Sequence, residues 1–578
     1  MAPIIIACYS PAHGLDPPNF FHRQIFSIIS MQAEPAVPPY SPTSAAPASV
    51  PVSPWRAFLR QFSPDAPSIA PLVVLILLGH LLLWTVLTGI SHSAPDLDNM
   101  EELVWGNVFE WGYYKHPPLP SWLIYGLTRL LGRPVWLTFF AGQLSVVLAL
   151  YFVWRLACEM TTQKNALIAV LLIMPITYFT TRGVISNHNT IQFWSIAGAI
   201  WFFYRAWRHR QMRDWLLLGL FSGFAMLTKY SALVQFAVFA GFLLIDGQLR
   251  HARTWKGIAA ATGVLALMLA PHLWWMSSQA KTPIGYATHS LSREMTRAEH
   301  WQLMGDVFGT TAARLAPMLL VLIAIGCGVL WRRRAVRKTG APVAAQQKIA
   351  AQLRPEDRRF ILLVGLGPFV LTFLVVIVLK APMIADWAST FYLLFGFFAF
   401  WLFATPPGDS GQLLRTCLKV VIVVQLATVI GYALARGPLS NMTGRATRAN
   451  FPGAAISQNL QYEWISHTGT PLRLVASDTW LGGNIAIHAG PQVDVLIDGD
   501  IDKSQWVTAA RAASCGMLLA INRSADSNDG TPPKVVEMMA RAQWRGILEL
   551  PATKKMDGPL LKIEWGIIPP TQNCPEKR

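Results

Sequence analysis

The chain has 578 residues, of which 53% are hydrophobic and only 14% charged. A soluble domain carries about 25% charged residues, so the composition argues against an ordinary water-soluble enzyme and for a protein of the bilayer. The net charge of +17 does not gather on one folded face, which argues against a nucleic-acid partner.

The N-terminal stretch MAPIIIACYS is too short to span and lacks a basic start, so it reads poorly as a signal peptide. A Pro/Ala/Ser-rich tract follows from Met31, itself a candidate start. That tract cannot bury enough apolar surface to fold, and residues 1–65 are expected to be disordered. Residues 71–90, PLVVLILLGHLLLWTVLTGI, then run without a charge. A bilayer-spanning helix needs about twenty such residues. About eleven spans are expected, near 70–91, 135–155, 165–181, 189–205, 214–228, 231–247, 257–276, 313–331, 359–379, 388–405 and 415–434. A single run of this kind could be a buried core helix. Eleven in one chain predict a polytopic all-α membrane domain over residues 66–435.

The basic residues set the orientation. With the N-terminus inside, Arg155 and Lys164, the segment RAWRHRQMR and the segment WRRRAVRK all fall on the inner side. The odd span count then places the C-terminus outside. Residues 436–578 have a different texture. Apolar runs such as LRLVASD and VDVLIDG alternate with helical patterns, including KSQWVTAARAA and PPKVVEMMARAQW. This predicts a soluble α/β domain with a mostly parallel sheet. It holds 15 Lys and Arg against 13 Asp and Glu, so most of the positive charge lies elsewhere. Cys515 and Cys574 are its only cysteines. A disulfide is permitted there, although spacing alone does not pair them. DGDID, residues 498–502, lacks the Gly and Glu that a calcium loop needs and reads as a strand-end loop. Neither a Walker pattern nor a dinucleotide glycine pattern stands out, so no nucleotide cofactor is expected.

The polar residues of interest collect in the expected outer loops. The first contains Asp96, Asp98, Glu101 and Glu102, followed by EWGYYKHPPLPSW. The second is TTRGVISNHN, the third LTKYSA, and the fourth contains Lys281 and His289. The fifth is LKAPMIADW. Ionisable groups near membrane depth are costly and mark candidate sites. Carboxylates opposite cations suit a reaction at a lipid-linked phosphate: the carboxylate accepts a proton and the cations hold an anionic leaving group.

Asp98, followed fourteen residues later by GYYKHPPLPSWL, resembles the bacterial family 39 glycosyltransferases. These are polyprenyl-phosphate-sugar-dependent enzymes of the GT-C fold, related to protein O-mannosyltransferases and to the lipid A aminoarabinose transferase. LTKYSAL, APHLWW and LKAPMIADWASTFY resemble later family segments in the same order. Together they cover about residues 70–405. Two positions depart from the family pattern: Asn99 replaces the second acid of an Asp-Glu pair, and Asn187 stands about where another Asp is found.

The resemblance implies that Asp98 is the catalytic base for an acceptor hydroxyl; a solvated acid or a helix cap is the plain alternative, and Asp96 is the second candidate. Glu101 could share a helix face with Asp98 and contact substrate or a metal. It implies that the loop of Tyr113, Tyr114, Lys115 and His116 meets the lipid-linked phosphate, with Pro117 and Pro118 stiffening it. Lys229 and Arg182 are further phosphate candidates, and Asn187 a substrate contact. Snorkelling to lipid headgroups is the alternative for the lysines. His272 and His289 read as hydrogen-bonded structural histidines. The resemblance makes no cofactor certain, and a divalent metal is left open. The implied partners are a polyprenyl-phosphate-linked sugar donor, an unidentified acceptor and membrane lipids. A transporter would show internal repeats and mid-helix polar groups, and a degenerate scaffold would tolerate loss of Asp98.

Overall fold

The computed structural model describes residues 61–291, 296–338, 346–379, 384–406, 409–524, 531–555, 558–571 and 574. Residues 1–60, including Met31 and nearly all of the tract expected to be disordered, lie outside the described residues.

The eleven apolar segments lie on helical structure. Among the described residues, six helices are long and apolar enough to cross a membrane: Ala70–Ser91, Trp136–Met160, Ala252–Met276, Ala298–Val336, Pro355–Val378 and Gly411–Thr443. In the first, Leu75, Leu78, Leu82, Val86 and Ile90 form an exposed apolar stripe, while Leu72, Leu77, Leu81 and Trp84 are buried. That stripe would be a liability in water and is the lipid-facing side of a span. Other segments are shorter. Gln163–Ile173 has 11 residues, and Ala166 through Ile173 are all buried. At 1.5 Å per residue it measures about 16 Å, half a bilayer core, so it is an internal helix surrounded by its neighbours. It continues through a 3-10 turn, Thr177–Phe179, into the loop that ends at Asn187.

The C-terminal region holds a five-stranded sheet. We number its strands β1 (Leu474–Ser477), β2 (Asp494–Ile497), β3 (Met517–Asn522), β4 (Trp544–Pro551) and β5 (Leu560–Ile568). The spatial order is β2-β1-β3-β5-β4. The first three are parallel, as expected from alternating strands and helices. The last two form an antiparallel hairpin on the β3 edge. The sequence reading extended a helix to Trp544, but the helix is only Pro533–Met539. Residues 544–551 alternate between half-buried and exposed, the period of a strand with one face covered. Cys515 and Cys574 form a disulfide.

A short helix, Leu97–Trp105, joins the two regions. Its Met100, Leu103, Val104 and Trp105 are buried in the same core as the sheet. A Cβ at Gly483 would lie 2.5 Å from Met100 Cγ, so glycine permits this close packing. On the helix's other side, Asn99 Nδ2 donates to Thr138 Oγ1 (2.8 Å) and to the Val184 carbonyl (3.0 Å). Asn99 is fully buried and ties the helix to the bundle. An acid there would be buried without a cation among these partners, which explains the departure from Asp-Glu in physical terms.

Candidate active site

The loop after Leu97–Trp105 is held rigidly. Tyr113 is fully buried and stacks on Trp105, with ring centroids 5.1 Å apart. Its hydroxyl donates to the Val108 carbonyl (2.8 Å). Gly112 lies so close to Trp275 that a Cβ would meet it at 2.3 Å. His272 Nδ1 lies 2.7 Å from the Trp111 carbonyl oxygen, and its Nε2 is 2.7 Å from the Tyr230 hydroxyl. His272 is therefore a structural clamp, as expected. Pro118 and Pro120 then start helix Leu119–Leu131, where a missing N–H costs nothing. These contacts aim Lys115 and His116 into a cavity of about 580 Å³.

The cavity has two ends. Its polar end gathers Asp98, Lys115, His116, Arg182, Asn187 and Lys229, from four separate stretches of chain. Its other end is apolar, with Val234, Val375, Val376 and Phe391 in the wall and the exposed Ile384 beside them. Of the residues expected at the site, Glu101 reaches the cavity through Lys115, whose Nζ donates to its Oε1 at 2.7 Å. Tyr114 packs under Lys115, 5.7 Å from its ammonium. Tyr113 faces the core and does not line the cavity.

Asn187 ends the loop and caps helix His188–His209. Its Oδ1 accepts from the backbone N–H groups of Asn189 and Thr190, both at 3.0 Å. Its Nδ2 donates to Asp98 Oδ2 at 2.7 Å. One side chain thus fixes a helix start and a carboxylate. Lys229 adopts extended backbone where helix Met212–Thr228 ends. Its Nζ donates to Asn189 Oδ1 (2.6 Å) and lies 5.5 Å from the Trp387 ring centroid. Arg182 is ion-paired with Asp386, which also lies 3.6 Å from Arg314. The rings of His116 and His188 lie against each other, tilted by 35° with centroids 3.6 Å apart.

Burial decides the charge states. It pushes His116 well below the usual histidine range, and the Lys229 and Lys115 charges push the same way. His116 is therefore neutral near pH 7 and offers a hydrogen bond rather than a charge. Burial lowers Lys229 to about 7, against the pull of Asp386 and Asp98. It opposes the charge on Lys115 too, but the Glu101 carboxylate outweighs it and holds the lysine protonated. Glu101 is the less firmly charged partner, because burial raises it more than Lys115 lowers it. Among the described residues no three His, Cys, Asp or Glu side chains gather as metal ligands.

Sequence reasoning missed Asp386, Trp387, His188, Asn189 and Tyr286 as parts of this wall. Asp386 and Trp387 stood in a quoted loop, but no spacing links them to Arg182, 204 residues away.

Residues 115–275 match the family model described as dolichyl-phosphate-mannose-protein mannosyltransferase. The lipopolysaccharide core galacturonosyltransferase RgtA of Rhizobium johnstonii is 23% identical over 435 residues, covering 73% of this chain and 81% of that protein. RgtB of the same organism, also named a lipopolysaccharide core galacturonosyltransferase, is 23% identical over 406 residues, 68% and 76% of the two chains. Among solved structures, ArnT from Cupriavidus metallidurans in the apo state superposes with a TM-score of 0.56 at 12% identity, covering 86% of this chain and 98% of ArnT. Its complex with undecaprenyl phosphate gives 0.54 at the same identity and coverage. At that identity the likeness shows the fold alone. The family model and the curated relatives agree on one class, and the chain is a multi-pass membrane protein similar to these glycosyltransferases.

Proposed function

We propose that the chain transfers a sugar from a polyprenyl-phosphate donor to an acceptor hydroxyl, with Asp98 as general base. The carrying observation is the two-ended cavity: cations and hydrogen-bond donors at one pole, an apolar wall at the other. That arrangement matches the polarity of a lipid-linked phosphosugar. The phosphate lies between Lys115 and Lys229, with His116 donating a hydrogen bond, and the polyprenyl chain runs past Val375 and Phe391 toward lipid. The solved complex of ArnT with undecaprenyl phosphate supports this class of donor.

The reaction is a single displacement. Asp98 takes the proton of the acceptor hydroxyl. The acceptor oxygen bonds to the anomeric carbon as the bond to the phosphate oxygen breaks. Polyprenyl phosphate leaves with its new charge opposite Lys115 and Lys229. One displacement inverts the anomeric configuration. A double displacement would need two carboxylates about 5 Å apart. The other carboxylate lining the cavity, Asp386, is already engaged by Arg182 and Arg314. Arg182 is thereby a positioning residue.

The C-terminal sheet and the cavity mouth lie on the periplasmic side of the inner membrane. A disulfide between Cys515 and Cys574 suits an oxidising compartment, and the Lys/Arg-rich loops suit the opposite side. Galacturonic acid is the first donor sugar to test and lipopolysaccharide the first acceptor, from the names of the curated relatives. The test is transfer of radiolabel from a panel of polyprenyl-phosphate sugars in membranes expressing the chain. Label moving from at least one donor into a glycolipid is expected. No transfer from any donor contradicts the reading.

A further inference from the structure

A second opening, about 680 Å³, lies between helix Leu97–Trp105 and the sheet region. It sits where β1 and β2 end, the edge of a parallel sheet at which ligands are commonly held. β1 runs into Asp478, and β2 runs into Asp498, Gly499 and Asp500. Gly499 has φ +69 and Asp498 has φ 55, so the chain turns sharply and presents both carboxylates to the cleft. Lys115 lines this cleft as well as the donor cavity, and Glu101 lines the cleft beside it. Helix Leu97–Trp105 is thus a partition. Asp98 lines one chamber, Glu101 the other, and Lys115 lines both.

The cleft's chemistry is balanced. The carboxylates of Glu101, Asp478, Asp498 and Asp500 share the lining with the ammonium groups of Lys115, Lys503 and Lys534. Lys503 donates to Asp498, and Lys281 and Lys534 both reach Asp500. The Tyr114 ring lies 5.7 Å below the Lys503 ammonium. A polyanion would meet the carboxylates and a polycation would meet the lysines. Hydroxyl groups both donate and accept, so a ring carrying several of them can bond to each in turn. From this geometry we propose that the strand-end cleft binds a neutral sugar ring of the acceptor and feeds its hydroxyl past Lys115 to Asp98. The proposal rests on the transferase reading and adds the substrate class and the route.

The test uses the full chain in lipid nanodiscs. Saturation-transfer NMR is recorded with methyl glycosides of galactose, glucose and mannose, and with glucose 6-phosphate. Affinity for undecaprenyl phosphate is measured separately. Wild type is expected to saturate the ring protons of at least one methyl glycoside, and more strongly than those of the phosphorylated sugar. Asp500→Asn should reduce that signal at least fivefold. Thr531→Trp, which fills the exposed rim without breaking an ion pair, should do the same. Undecaprenyl phosphate affinity should stay within twofold in both. Absence of any glycoside signal in wild type, an undiminished signal in both variants, or stronger binding of glucose 6-phosphate overturns the proposal. Failure to bind undecaprenyl phosphate counts against the donor reading instead and leaves the glycoside result interpretable.

Discussion

Replacing Glu101 with Gln removes one charge and almost no volume. Glu101 is buried and holds Lys115 at 2.7 Å, while the lysine side chain keeps a quarter of its surface exposed. A charge-assisted hydrogen bond is worth about 1.5–3 kcal/mol net. The exposure of Lys115 argues for the lower half of that range, so the variant should lose roughly 10- to 50-fold in kcat at about 1.4 kcal/mol per tenfold. Stability should barely change, because a neutral amide costs less to bury than a carboxylate and the partly exposed Lys115 keeps water for its charge; the unfolding midpoint should move by no more than about 2 °C. The pH profile separates this from a folding defect. Burial places Glu101 above the usual carboxylate range. Protonating it at low pH does to wild type what Gln does permanently. Wild-type transfer should therefore fall as pH drops through that raised value, and Glu101→Gln should lack this part of the acid limb. A variant with wild-type kcat near neutral pH, or with the same acid limb, refutes the reasoning.

Three further outcomes are expected. Lys229 sits near 7 when the cavity holds no phosphate, so binding undecaprenyl phosphate at about pH 8 should take up a proton, seen by calorimetry in two buffers, and affinity should fall from about pH 6 to about pH 9; Lys229→Met should bind more weakly and lose the pH dependence. Asn187→Ala should cost about 1 kcal/mol of stability through the lost cap and about tenfold or more in kcat through the lost donor to Asp98, whereas Asn187→Asp should keep the cap and still lose the rate. Cys515→Ser opens a link spanning 59 residues, worth at most about 4 kcal/mol by chain entropy; limited proteolysis should cut the sheet region faster, with transfer by the surviving intact chain unchanged.

Much of this was legible in the sequence because hydrophobic runs report membrane helices directly. The helices from Ala70–Ser91 to Gly411–Arg436 follow that signal. Asp98, Lys115 and His116 line one cavity; the sequence put them forward through the family resemblance of the segment that carries them. The rest depends on contacts distant in sequence. Arg182 looked like a free phosphate cation until Asp386 appeared beside it. Tyr113 shares the motif with Lys115 yet stacks on Trp105 in the core, because the loop turns back on itself there, with the Tyr113 N–H donating to the His116 carbonyl. Asn187 looked like a lost acid, but it caps a helix and holds Asp98 through the same amide. The hairpin of β4 and β5 was hidden because a Gly-containing strand with one exposed face, WRGILELP, follows a helical pattern without a break.

The central claim is that Asp98 accepts the proton of the attacking hydroxyl. The direct measurement is radiolabel transfer from a polyprenyl-phosphate sugar, comparing wild type with Asp98→Asn at matched expression and matched undecaprenyl phosphate affinity. The account predicts that transfer falls by about 100-fold or more while the phosphate still binds. Transfer by Asp98→Asn at the wild-type rate would contradict it and turn attention to Asp96 and Glu101.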